Sequence, residues 1–249
     1  MGESLKAMTL LLALMAALAI VETWIPRRAS EVPQGPRWRI NLALTAIYLA
    51  LNLVLTLSVI GIAASMDARG VGALRSLHLP TVAQFAIGFV LLDFFAYVVH
   101  VLMHKSPLLW RLHRVHHSDR HVDVTTTFRQ HPLEGALRFA FTAAPALSLG
   151  VSANATAIYR LISGINALFE HANIRVDARV DRWLRWLIVT PDMHKIHHSR
   201  RAIETDSNYA NIFSMHDRLF GTYTPRADDL RYGLDESAPA AQPHEYRQA

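Results

Sequence analysis

The sequence predicts an all-α, polytopic membrane protein, with about four to five membrane-inserted helices (three spans plus a helical hairpin) under a polar helical cap. Three observations lead there. Hydrophobic residues make up 51% of the 249 positions and gather in runs long enough to cross a hydrocarbon core of about 30 Å. Histidines cluster three times, as HVLMH (His100, His104), HRVHH (His113, His116, His117) and HKIHH (His194, His197, His198). Cysteine is absent, which excludes disulfides, Cys-ligated zinc, iron–sulfur clusters and thiol catalysis. The net charge of +5 does not point to nucleic acid, because the basic residues flank apolar spans, as they do on a cytoplasmic membrane face.

Residues 8–24 form the first apolar run. It exceeds a typical signal-peptide core, only Lys6 is basic ahead of it, and no small-residue cleavage site follows, so a retained transmembrane helix is expected. A loop at 26–39 carries Arg27, Arg28, Arg37 and Arg39, and the second span follows at 40–64. The connection at 65–79 has only Arg69 and Arg75, and the third span covers 81–103. The basic surplus assigns loop 26–39 to the cytoplasm and the N-terminus to the outside. His100 and His104 are then delivered on the cytoplasmic side.

Residues 105–129 are polar and Arg-rich, which agrees with that side. Ser106-Pro107 reads as an N-cap with proline at the first helical position, opening a helix that displays the second histidine cluster. His131-Pro132-Leu133-Glu134 repeats the device ahead of the apolar stretch 136–169. That stretch is too long for one span and is interrupted near Pro145, Gly150 and Asn154, so it predicts a hairpin of two short helices with a shielded bend. The sequon at Asn154 falls inside this hairpin, where no glycan is expected. At 179–189, Arg182 and Arg185 alternate with Trp183, Trp186 and Leu187, as in a helix lying in the membrane interface; a soluble packing helix is the alternative. Thr190-Pro191-Asp192 caps the helix bearing the third cluster. Residues 207–223 are mixed, and 226–249 read as a loose tail. The chain divides into membrane helices at 1–80, a catalytic domain at 81–225 and the tail.

On a helix, positions i and i+4 lie about 40° apart, so each cluster can aim its imidazoles at one point. Eight converging histidines look like a binuclear metal centre, since neighbouring imidazoles repel on protonation while neutral imidazole is the commonest metal ligand. Such a ligand set suits Fe, Cu, Zn or Ni and does not choose among them. Its place at the ends of membrane spans makes it reachable by a lipid chain. Two irons with open positions could bind O₂ and attack an unactivated C–H bond. A metal transporter or sensor, or a His-ligated zinc hydrolase, would use the same ligands. A transporter would normally carry ionisable residues within its spans, which are almost free of them here.

From Asp93 to Tyr223 the chain closely resembles the fatty acid hydroxylase superfamily, or sterol desaturase family, of integral membrane di-iron oxygenases. The resemblance rests on HVLMH, LLWRLHRVHHSD, TTFRQHPLE, FEHANI, TPDMHKIHH and SNYANIFSMHDRLFGTY. It implies a four-helix-type membrane platform in a bacterial inner membrane, under a cytosolic His-coordinated di-iron cap, acting on a fatty acyl, sterol or related lipid. O₂ would be the co-substrate, and zinc an occasional occupant in preparations. Position by position, it makes ligands of His100, His104, His113, His116, His117, His194, His197 and His198, and adds His171 from FEHANI. His131 is either a ligand or a capping or orienting group. Asp93, Glu170 and Asp192 are candidates to accept the second imidazole N–H, with Asn173 and Asn208 behind them. His216 departs from the family's usual Trp and is not counted as a ligand; His78, His121 and His244 match no motif and read as surface or loop residues. No reductase motif is present, so a separate ferredoxin or cytochrome with its reductase would supply electrons, with Arg111, Arg114 and Arg120 available for docking. Neither the substrate nor the choice among hydroxylation, desaturation and ether cleavage follows from these motifs.

Overall fold

The computed structural model describes residues 2–226 and 230–234. Its elements are α1 (Gly2–Trp24), α2 (Gln34–Ala68), α3 (Ala73–Ser76), α4 (Thr81–Lys105), α5 (Pro107–His117), a 3₁₀ turn (Val124–Thr126), α6 (Pro132–Leu149), α7 (Ala153–His171), α8 (Ala178–Leu184), α9 (Pro191–His197), α10 (Ala202–Thr205) and α11 (Met215–Leu219). There is no strand among the described residues, only isolated antiparallel bridges such as Pro26 with Ile174.

Helices α1, α2 and α4 are long and apolar enough to cross a membrane. Their 23, 35 and 25 residues give lengths of about 35, 52 and 37 Å. Large apolar side chains stand exposed along the outer helices, including Leu10, Leu12 and Ile20 on α1 and Leu42, Ile47, Val54 and Ile62 on α2. That distribution suits lipid, where no water penalises apolar surface. Helices α6 and α7 form the expected hairpin and pack on α2 and α4.

Glycine makes the hairpin's bend possible. Gly150 closes α6 in the left-handed conformation (φ 70°), and a β-carbon on it would lie 2.3 Å from the Cα of Gly72, itself at φ 142°. Only glycine at both positions lets the turn touch the connection between α2 and α4. Asp67, in the last turn of α2, accepts the Ala153 N–H at 3.0 Å and so satisfies a free donor at the start of α7.

The opposite end carries the cap, and buried charge ties the membrane helices to it. Arg37 of α2 pairs with Asp123 and, at 3.1 Å, with Asp119, while Asn41 donates to Asp119 at 2.8 Å. Glu22 of α1 accepts the backbone N–H groups of Val124 (2.8 Å) and Asn173 (2.6 Å). The helix expected over 179–189 is shorter: α8 stops at Leu184, and Trp186 and Leu187 lie in the turn after it, 61% and 68% exposed beside Trp183 at 71%. Part of the expected loose tail is tied down: Arg200 N–H donates to the Arg231 carbonyl at 2.8 Å, Arg28 donates to the Leu230 carbonyl, and Tyr232 is buried. Residues 227–229 and 235–249, with His244, lie outside the described residues.

Candidate metal centre

Four helices bring the histidines together. α4 ends in His100 and His104, and α7 ends in His171. α5 starts at Pro107 and carries His113, His116 and His117, although the Ser106 hydroxyl makes no capping bond. α9 is capped by Thr190, whose side chain accepts the Met193 N–H at 3.4 Å, and it bears His194, His197 and His198. The nine rings are between 0% and 6% exposed.

They do not share one focus. His100, His104, His113, His117 and His197 form one group, and His116, His171, His194 and His198 another; within each, one ring nitrogen per residue lies within 4.8 Å of the others. The HxxHH spacing explains the division. In α5 the i and i+4 members join the five-histidine group and i+3 turns to the other, whereas in α9 the i and i+4 members join the four-histidine group. The groups adjoin, with the rings of His117 and His198 stacked 4.6 Å apart.

Hydrogen bonds fix which nitrogen faces inward. In the first group His100 Nδ1 donates to the Tyr209 carbonyl (2.8 Å), His104 to Asp206 (3.3 Å), His113 to Glu134 (2.8 Å) and His197 to the Ser207 carbonyl (2.8 Å). His117 Nδ1 donates to the Thr205 hydroxyl at 3.4 Å, because that hydroxyl gives its own hydrogen to the His197 carbonyl. In the second group His116 donates to the Arg129 carbonyl (3.3 Å) and His171 to the Ala167 carbonyl (2.8 Å). A ring protonated on Nδ1 presents a bare lone pair at Nε2. Yet His113 Nε2 lies 3.1 Å from that of His100 and 3.2 Å from that of His117, and His171 Nε2 lies 3.1 Å from that of His116. Lone pairs facing at this range repel unless a cation lies among them, so both groups fit a metal ion. Burial, reinforced by neighbouring imidazoles, pushes His113, His116, His117, His194, His197 and His198 well below the ordinary histidine range. They are therefore neutral and ready to ligate at pH 7.

Between α1, α2, α6 and α7 a cavity of about 600 Å³ runs from the membrane helices to the histidines. His116, His171 and His194 of the second group line it, with His100 of the first. Leu11, Leu53, Leu57 and Ile60 give it an apolar wall.

Residues 85–222 match the fatty acid hydroxylase family, more than half of the chain and every ligand candidate. The chain belongs to that family. Relatives include the alkylglycerol monooxygenase of Xenopus tropicalis (29% identical, covering 62% of this chain and 34% of the relative). The ornithine lipid hydroxylase OlsE of Rhizobium tropici is 30% identical over 62% of this chain and 46% of its own length. The fatty acid hydroxylase vlmA of a Lecanicillium species is 26% identical over 56% and 41%. The matched region thus spans about a third to a half of these relatives. No solved structure matches.

Within this member of the fatty acid hydroxylase family, the carboxylates expected beside the histidines separate. Glu170 lies beside the second group, 3.7 Å from His171 Nδ1 and 3.8 Å from His194 Nε2, too far to accept a hydrogen bond from either ring; it accepts one from the Asn166 amide at 3.1 Å instead. Asp93 belongs to neither group. Fully buried, it accepts the backbone N–H groups of Ile212 (3.1 Å) and Phe213 (2.9 Å), holding the 207–214 segment on α4, because two free backbone donors compete better for it than a ring about two turns away. Asp192 pairs with Arg27 at the half-buried rim and meets no histidine. His131 stays outside both groups and caps α6, accepting the Leu133 N–H at 3.2 Å. His216 is buried against Asp93 at 3.3 Å and His78 is exposed, both apart from the groups. His121, expected on the surface or in a loop, lies in the connection after α5 but is 5% exposed beside Asn173, and burial lowers it to about 4.

Sequence reasoning missed Glu134, Asp206 and Lys195. Glu134 is fully buried and bonds His113 and Arg138, although in the sequence it is only a first-turn acid behind the His131-Pro132 helix start. Lys195, inside HKIHH, is fully buried and donates to the Val122 carbonyl at 2.8 Å and to the His171 carbonyl; burial lowers it to about 7.

Proposed function

We propose that this chain is a membrane-bound non-haem di-iron oxygenase that hydroxylates or desaturates a lipid, using O₂ and electrons from a separate ferredoxin or cytochrome. One observation carries the reading: two adjoining all-histidine groups close the inner end of a cavity that opens among membrane helices. The names of the relatives, all lipid or alkylglycerol oxygenases or hydroxylases, support it. His100, His104, His113, His117 and His197 would hold one iron; His116, His171, His194 and His198 would hold the other. When bound, the pair supplies the oxygen activation and C–H oxidation that no side chain performs alone.

The protein's own groups do the rest. Tyr209, Ser207, Ala167 and Arg129 present backbone carbonyls, and Glu134 and Asp206 carboxylates, that fix the inward nitrogen of six of the nine rings. The apolar wall excludes water and lays a chain against His116 and His171. With the basic loop cytoplasmic, the exposed Arg111 and Arg120 face the side where an acidic electron donor would dock. The absence of native cysteine makes that orientation directly measurable by labelling single introduced cysteines.

The test is incubation of membranes containing the protein with lipid under ¹⁸O₂ and a reducing system, followed by mass spectrometry. The account expects oxygen-dependent gain of one labelled oxygen or loss of two hydrogens, abolished in His116→Ala and His197→Ala. Turnover without oxygen or reductant would instead favour a zinc hydrolase.

A further inference from the structure

The cavity holds a cation that the metal centre does not use. Arg160 of α7 lines it, donating to the Asn52 amide oxygen of α2 and lying with its guanidinium 5.1 Å from the Phe139 ring of α6. No carboxylate among the described residues pairs with it. The other cavity arginine, Arg138, is already committed to Glu134 at 3.0 Å. An ionisable group within membrane helices is costly to bury and marks a ligand path more often than a structural device. Arginine has five N–H donors, and Asn52 takes one.

We propose that Arg160 docks the anionic group of an amphiphile, a carboxylate or a phosphate, whose apolar chain then lies along the cavity toward the histidines. Its planar fork matches either anion in a bidentate pair. Eleven residues of α7 separate Arg160 from His171, a rise of about 16 Å. A chain anchored at Arg160 therefore presents methylenes far from its charged end to His116, His171 and His194, so oxidation falls on the chain and not beside the head group. The proposal rests on the lipid-oxygenase reading for its chemistry, but its binding step does not need turnover.

The experiment measures binding of radiolabelled palmitate, lysophosphatidate and the neutral hexadecanol to the protein as purified, in phosphatidylcholine nanodiscs. Wild type is expected to hold one of the two anions about tenfold or more tighter than hexadecanol, and which anion wins identifies the head group. Arg160→Gln should erase that preference while leaving hexadecanol binding, melting temperature and iron content unchanged. A purely structural Arg160 predicts no charge preference in wild type, or a preference that survives in Arg160→Gln; either result overturns the proposal. Should the glutamine variant fail to fold, Arg160→Lys decides. Lysine keeps the charge and loses the fork, so the preference should shrink by roughly an order of magnitude, and its full persistence overturns the assignment. Failure here would leave the iron centre untouched, and loss of iron would leave this binding intact.

Discussion

The five-histidine group and the four-histidine group use the same ring and differ in how it is held. In the first, every Nδ1 has an oxygen partner: the carbonyls of Tyr209 and Ser207, the carboxylates of Asp206 and Glu134, and the Thr205 hydroxyl. In the second, His116 and His171 are held by carbonyls, while Nδ1 of His194 and of His198 is buried with no hydrogen-bond partner. Only the second group has most of its rings on the cavity wall. The contrast separates a rigid, enclosed set of rings from one with fewer histidines and freer rings facing the cavity; under the proposed function the second is where coordination would change during turnover.

The largest expected consequence is kinetic. A chelator should remove iron in two phases at least about tenfold apart, the fast phase belonging to the four-histidine group. His194→Ala should abolish the fast phase and His117→Ala the slow one, with iron counted by mass spectrometry at each time. A single phase would erase the distinction between the groups.

Glu134→Gln sharpens the same comparison. It keeps an acceptor for His113 but removes the charge that also faces Arg138. Iron affinity at the five-histidine group should fall roughly tenfold, with the fast chelation phase unmoved. A change confined to the fast phase would mean that Glu134 serves the other group.

The membrane helices and the histidine clusters were legible because each rests on a repeated local pattern. Long apolar runs gave α1, α2 and α4, and the Pro145–Gly150–Asn154 interruption gave the α6–α7 hairpin. HxxHH spacing placed the second and third clusters on helices, and His171 came only through FEHANI. The partition into five and four was not legible, since each HxxHH can aim at one focus and only the way the rings of His116 and His117 meet those of His197 and His198 decides otherwise. Tyr209 and Ser207 act through backbone carbonyls, which carry no residue signature. Asp93 lies two helical turns before His100 and Asp192 adjoins His194 along the chain, but nearer backbone donors and Arg27 take them. Arg160 lay in an apolar run whose average concealed it.

The smallest expected effect lies away from both groups, where the cap meets α2. Burial disfavours ionised Asp123, but the hydrogen bond and charge of Arg37 outweigh it and hold the carboxyl below its ordinary 3.8. A depressed carboxyl stabilises the fold above that value and loses its contribution as pH falls through its folded pKa. Asp123→Asn should therefore cost roughly 1–3 kcal/mol near pH 7, moderated because Asp119 also holds Arg37, and the difference from wild type should close only below about pH 3.8. Thermal melts of both proteins in detergent across that range check it; a gap that widens on acidification has the wrong sign.

In the proposed function histidines alone grip two irons at the inner end of the cavity. Iron counting together with X-ray absorption on the detergent-purified chain tests it most directly. The account predicts two irons per chain in a nitrogen- and oxygen-only shell with iron–iron scattering, falling to about one in His194→Ala. One iron or none in active wild type, or an unchanged count in that variant, would contradict it.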